Sequence, residues 1–475
     1  SQIIQFILSV VLAVNVMLFN VLTSTYFLVL IGVLLILLGI TLLTQIAAKG
    51  KGIGGKIFCI LICIILGVGS FYIGKVNNAF QKITGSNKKT SSMVVAVKAD
   101  DNADTLSAAA GYTFGVQYAT GGDQTKSAVK QIEKELGQNI TLQEYSNLGE
   151  EAQALYDGEV DAIIYNSAYS NIIKEQYSTF TKDTKVIYKH NIVVEIESDT
   201  SDESVTKPFA VYLSGIDTNG DITEQGRSDV NIVAVVNPTS HQVLLITTPR
   251  DYYVPIPGVS GGQDDKLTHA GIYGVDVSMQ TLEALYDTDI EFFGRVNFTS
   301  MTSVVDALGG LDVESDLEFD TGWESGAEIH VNEGMNHFDG ISALAFCRER
   351  QALPDGDNGR GVHQQAVITA IIKKMMSPAM LRGASDIIDS VSDGVDTNFT
   401  SSQIQSLIKT QLRTNAKWNI YSVAADGTGG TDICYSSGDE ELYVTYPDEN
   451  SVAEIIGLIK EVKDGEIIEG SVSTE

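Results

Sequence analysis

The pattern of apolar positions divides the chain into three parts. Residues 1–48 carry no charge, and apolar runs fill 3–22 and 26–45, with a third at 57–74. Each is long enough, as a helix, to cross a hydrocarbon core of about 30 Å. Three consecutive runs do not fit a cleaved secretory signal, which has one short apolar segment. The pattern therefore predicts three transmembrane helices in residues 1–75. Lys49, Lys51 and Lys56 lie between the second and third runs, and Lys75, Lys82, Lys88 and Lys89 follow the third. The first group favours a cytoplasmic loop and an external C-terminal part; the second group weakens that asymmetry.

Beyond a polar linker at 76–92 the period changes. Strand-like runs at 93–97, 113–118, 140–144, 160–165 and 185–188 alternate with helical patterns at 125–136, 148–157 and 169–176. This alternation predicts a small α/β domain over 93–192 with a mainly parallel sheet. The segments GYTFGVQYATGGDQTKSAVKQIEKEL and ALYDGEVDAIIYNSAYSNII resemble units of a periplasmic solute-binding lobe. The length suits one lobe, so the resemblance implies an accessory domain.

An acidic, Ser/Thr-rich linker at 193–206 leads into a larger α/β domain, 207–468, followed by a tail at 469–475. Its first strands, 209–215, 230–237 and 242–248, are continuous apolar runs, as strands covered on both faces are. Helices are predicted at 274–286, 299–308, 339–345, 361–376 and 451–462, and a strand at 418–423. The fold class is α/β: a central mixed sheet flanked by helices.

Charge then narrows the function. The 475 residues carry a net charge of −30, which opposes nucleic-acid binding. None of the eight arginines precedes Arg227, and six fall at Arg227, Arg250, Arg295, Arg348, Arg350 and Arg360. Guanidinium is planar and matches phosphate or carboxylate oxygens two at a time, so this clustering points to an anionic ligand. Cys59 and Cys63 lie in the third apolar run. Cys347 and Cys434 are candidates for a disulfide if their domain lies outside the membrane.

Three constellations carry the candidate chemistry. Asp217 closes one strand, and Arg227 and Asp229 open the next; two carboxylates are a usual protein contribution to a Mg²⁺ site. Asx turns at strand ends are the alternative for these aspartates. Arg250 and Asp251 stand at the mouth of the strand ended by Pro249, where ligand crevices of α/β folds form, and Lys266 and His269 follow in a glycine-bearing segment. Arg348 and Arg350, two apart at an expected strand end, would point to one side. Arg360 and Gln364 follow near the start of a helix.

Several motifs in order resemble the LytR-CpsA-Psr (LCP) family of Gram-positive bacteria: G-I-D at Gly215–Asp217, R-x-D at Arg227–Asp229, P-R-D at Pro249–Asp251, ALGGLDV at Ala307–Val313, the segment Gly334–Leu344, R-x-R at Arg348–Arg350 and the run Arg360–Gln364. His363 departs from the family, which often has arginine there. The resemblance implies a membrane-anchored extracellular ligase that moves a glycopolymer (teichoic acid, capsular or secondary polysaccharide) from undecaprenyl-pyrophosphate to peptidoglycan. It implies Mg²⁺ or Mn²⁺ on Asp217 and Asp229. It implies pyrophosphate contacts from Arg227, Arg250, Arg348, Arg350 and Gln364, with Lys266 and Arg360 as further candidates. Asp217 or Asp251 would serve as base. A polyprenyl-pyrophosphate hydrolase and a non-enzymatic envelope-binding protein remain the competing readings.

Overall fold

The computed structural model describes residues 2–19, 22, 24–47, 53–84, 88–195, 201–216, 225–354, 357–375, 395–414, 416–438, 440–470 and 472–473. Three apolar helices, Gln2–Phe19, Ser24–Ala47 and Ile53–Ile83, form the N-terminal part. Two of them, Ser24–Ala47 and Ile53–Lys75, are long and apolar enough to span a bilayer, while Gln2–Leu18 is shorter. Among the described residues, the expected three spans are thus corrected to two, the first being a shorter apolar helix. Gln5, Ser9, Thr41 and Ser70 are buried between them. Gln5 Oε1 accepts from Thr41 Oγ1 (2.7 Å) and Cys59 Sγ (3.3 Å), and Asn15 Nδ2 donates to Ser70 O (3.2 Å). Intramembrane polar groups need such partners. This pairing makes the first and third helices parallel and the second antiparallel. Phe19, Ser24 and Ile83 therefore share one end.

The first α/β unit has a five-stranded sheet in the order Thr141–Tyr145, Thr113–Gln117, Ala162–Asn166, Lys88–Lys98, Thr184–Glu195. The first two pairings are parallel and the last two antiparallel, so the expected mainly parallel sheet is mixed. The outer pair runs into both predicted linkers: Lys88 pairs with Glu195. A long antiparallel ladder satisfies backbone groups there whatever the polarity of the side chains.

The second unit is built on a seven-stranded sheet in the order Val395–Thr397, Phe292–Asn297, Phe209–Ile216, Ser228–Asn237, Gln242–Thr247, Asn419–Ala424, Val472–Ser473. Phe292–Asn297 is parallel to Phe209–Ile216, and Asn419–Ala424 to Gln242–Thr247, while the other pairings are antiparallel. One face packs against Leu282, Tyr286, Ile455 and Ile459 of the helices Val275–Tyr286 and Glu449–Asp464. The other face holds Phe209, Phe292, Ile232 and Trp418.

The two α/β units share a core. Ile256, Ala270, Ile272 and Tyr273 of the second pack among Val94, Leu155, Ile163 and Tyr169 of the first. Buried Gln225 ties the seam: its Oε1 accepts from Ser91 Oγ (2.8 Å) and Asn166 Nδ2 (2.7 Å), and its Nε2 donates to Tyr273 O (2.6 Å). The apolar helices are tied in as well, since Thr84 and Ser401 share a hydroxyl–hydroxyl bond of 2.5 Å. The third helix also packs against the edge strand Val395–Thr397.

Candidate functional site

A cavity of about 450 Å³ opens at the carboxyl ends of Phe209–Ile216, Gln242–Thr247 and Phe292–Asn297, where parallel strands of α/β folds present their ligands. Its wall includes Asp229, Arg250, Arg348, Arg350, Arg360 and Gln364. Six candidates spread over 136 positions of sequence therefore meet in one place. The cavity has a second character: Leu213, Val230, Val296, Met301, Val367, Ile368 and Val395 also line it. Gly215 lets the strand approach its neighbour, for a Cβ there would lie 2.7 Å from Val230 Cγ2.

Asp229 and Arg250 form the left wall, joined by Arg250 Nη1 donating to Asp229 Oδ1 at 2.8 Å. Behind them Asp251 lies 3.5 Å from Arg250 Nε and 3.5 Å from Lys266 Nζ. Buried Asp251 and half-buried Lys266 thus form a row beneath Arg250 and are not on the cavity wall. Arg227 is half-buried just before the strand that carries Asp229, and it too is off the wall. Asp217 lies outside the described residues.

The right wall departs from the expected strand. Arg348 ends the helix Gly340–Arg348, and Arg350 stands in the turn that follows. Asp339 caps that helix through Ser342 N (2.8 Å), and Gly340 sits where any Cβ would strike the Thr302 backbone. The arginines share the cavity because Glu349 between them anchors the turn. Its Oε1 accepts from Arg350 N (3.0 Å), Gln351 N (2.8 Å) and Ala352 N (3.0 Å). Its Oε2 accepts from Gly322 N (2.7 Å) and Ser325 Oγ (2.8 Å). Burial alone would raise its pKa, but the backbone donors at Ala352 and Gly322 outweigh this and hold it below the usual carboxylate range. Glu349 thereby pins the loop Gly322–Ser325, also on the wall, to the arginine turn. Sequence reading passed over it; the signal was an acid held between two arginines.

The floor is the helix Asp357–Met375. Arg360 and Gln364 lie four apart, on one face, and both are buried. His363 points elsewhere. Its ring stacks on Phe346 (3.9 Å) and Phe319 (5.3 Å), and burial pushes its pKa down to about 4. The family's arginine position is here an uncharged part of the core. Arg295 is also not a ligand group. It forms a buried pair with Asp396, with Nε donating at 2.9 Å, and locks the edge strand to its neighbour.

Cys347 and Cys434 are not joined by a disulfide. Cys347 packs with Phe346 and Leu353 and touches the cavity, whereas Cys434 begins a turn beside Asp265 and His269. Burial lifts the Cys347 thiol to about 12. His269, singled out with Lys266, is fully buried against Asp265 (2.7 Å) and Ser436 (3.0 Å).

Fold and site together define an α/β protein with an arginine-lined, partly apolar pocket at its strand ends. The sequence profile of the LytR_cpsA_psr family matches residues 163–451, and the chain belongs to that family. Over 253 residues it is 34% identical to the polyisoprenyl-teichoic acid–peptidoglycan teichoic acid transferase TagU of Bacillus cereus (strain AH820), covering 53% of this chain and 77% of the relative. The Enterococcus faecalis (strain V583) protein of the same name is 36% identical over 203 residues, 42% of this chain and 65% of its own length. Among solved structures, Bacillus subtilis TagV aligns at 26% identity with a TM-score of 0.46, over 55% of this chain and 98% of that one. TagT bound to LI-WTA aligns at 25% with a TM-score of 0.44, over 56% and 93%.

Proposed function

We propose that this chain is a membrane-anchored phosphotransferase that moves a teichoic-acid-class glycopolymer from a polyprenyl-pyrophosphate carrier to peptidoglycan. The observation that carries this reading is the two-sided cavity. Four guanidiniums and an amide converge on one part, and aliphatic side chains line the rest. Diphosphate joined to hydrocarbon matches both.

Arg250, Arg348, Arg350 and Arg360 bind the diphosphate oxygens, and Gln364 donates beside Arg360. Phosphoryl transfer asks mainly for positioning and neutralisation, which fixed guanidiniums supply. An acceptor hydroxyl bonds to the phosphorus next to the sugar, and the bridging P–O bond breaks. Polyprenyl phosphate leaves, and the hydroxyl proton passes to a base. Asp217 is the candidate for that base, whereas Asp251, held between Arg250 and Lys266, positions Arg250.

A divalent cation, Mg²⁺ or Mn²⁺, fits the donor set at Asp229. Its Oδ1 accepts from Arg250, while its Oδ2 has no hydrogen bond among the described residues. Such sites use one or two carboxylates plus substrate oxygens, so Asp229, with Asp217, would hold the ion. When bound, the ion adds neutralising charge at the phosphates.

The apolar helices place the α/β units at one membrane face. Ala47 and Ile53 lie at the opposite end, and the lysines at 49, 51 and 56 are next to them in sequence, which favours an external site.

The test is transfer of a synthetic polyprenyl-pyrophosphate saccharide onto peptidoglycan fragments by the full chain in detergent. Transfer should require acceptor and fall at least a hundredfold in Arg348→Ala or Asp229→Asn (about 2.7 kcal/mol of barrier). Carrier phosphate released at the same rate without acceptor would instead make the protein a hydrolase.

A further inference from the structure

A second cavity, of about 610 Å³, lies between the apolar helices and the helix Ser401–Thr414. Met17 and Phe27 come from the first two apolar helices, and Ser406, Lys409, Thr410 and Arg413 from the other side. Lys409 and Arg413 are one helical turn apart, as are Ser406 and Thr410, so both pairs run along the same groove. The groove sits at a defined height. Phe19 and Ser24 mark the shared end of the first two helices, and the bond between Thr84 and Ser401 fixes the start of Ser401–Thr414 at the end of the third. Gln403 ties the same helix to Ser201 O (3.0 Å) and Ser204 Oγ (2.9 Å).

In a bilayer spanned by the second and third helices, the apolar side of this groove meets acyl chains. Its cationic and hydroxyl side meets headgroups. Arginine and lysine at such a depth extend their charges to the phosphate level. The charge placement is selective, because the protein as a whole is strongly acidic and an anionic membrane surface repels it. Two cations are nevertheless set where the large unit touches the membrane.

We propose that this groove is a binding site for an anionic phospholipid, with Lys409 and Arg413 on its phosphate, Ser406 and Thr410 on its headgroup, and one acyl chain against Met17 and Phe27. The lipid would serve as a cement between the membrane helices and the large unit. The inference is independent of the transfer reaction, since none of these residues belongs to the cavity described above.

The full chain in nanodiscs of phosphatidylcholine, with or without phosphatidylglycerol, provides the test. Phosphatidylglycerol should raise the melting temperature of the wild type. Native mass spectrometry should show it retained in preference to phosphatidylcholine. Each of Lys409→Gln and Arg413→Gln should reduce that preference about fivefold, and the double variant should abolish the thermal shift. The control is Lys126→Gln with Lys130→Gln, on a helix of the first unit, which should leave both readouts intact. An undiminished preference in the double variant overturns the proposal. So does an equal thermal shift produced by millimolar inorganic phosphate in phosphatidylcholine discs, because the site would then recognise phosphate without its lipid.

Discussion

At the scale of single residues the site depends on groups that hold its arginines in place. Glu349 satisfies five donors from two chain segments. Glu349→Ala leaves them unpaired beneath the cavity, at about 2–4 kcal/mol. Thermal denaturation should register that loss, and transfer should fall at least tenfold. Glu349→Gln retains part of the stability but offers the backbone donors one good acceptor oxygen, so its melting temperature should lie between. His363 makes stability depend on pH. Its folded pKa of about 4 lies below the ordinary 6.5, so the unfolded chain binds the proton more tightly. The contribution is complete above pH 6.5, shrinks as pH falls toward 4, and is then spent; it amounts to about 3 kcal/mol. Melting temperatures of His363→Phe and wild type should therefore converge with pH differently, the variant losing less between pH 6.5 and 4.

At the scale of elements, much of the site was legible and part was not. Continuous apolar runs marked the strand that carries Asp229 and the one that leads to Arg250, and the helix of Arg360 and Gln364 showed its period. The R-x-R pair was misplaced. The helix predicted at 339–345 runs on to Arg348, where a strand end was expected, and short apolar runs do not separate the two. Phe292–Asn297 went unrecognised because Arg295 interrupts it, and only a buried partner 101 positions away, Asp396, makes that charge tolerable in a central strand. Asp229 was readable from its R-x-D segment, its expected partner Asp217 lies outside the described residues, and the row from Asp251 to Lys266 needed coordinates. Gly215 shows how tightly the elements meet at the cavity. Gly215→Ala should force the strands of Leu213 and Val230 apart at about 1–3 kcal/mol. It should also raise the KM for lipid donor more than it lowers kcat, which steady-state kinetics would resolve.

At the scale of the whole molecule, the seam between the two α/β units is a hydrophobic core in which the Gln225 amide is buried. Gln225→Ala strands Ser91, Asn166 and the Tyr273 carbonyl, and should cost about 2–4 kcal/mol. Calorimetry should then show the single unfolding transition separating into two, since the shared contacts are what couple the units. The arginine-lined cavity is modest, about 450 Å³, and reaches Val395, whose strand packs against the third apolar helix. On the proposed function, a long polyprenyl tail would exceed that space, and most of it would stay dissolved in the lipid throughout the reaction. The spent carrier would then need no desorption into water to depart, and would slide back into the leaflet it never left. Turnover would follow surface dilution kinetics: adding inert lipid at constant donor and enzyme should slow the reaction, although nothing in the bulk solution has changed.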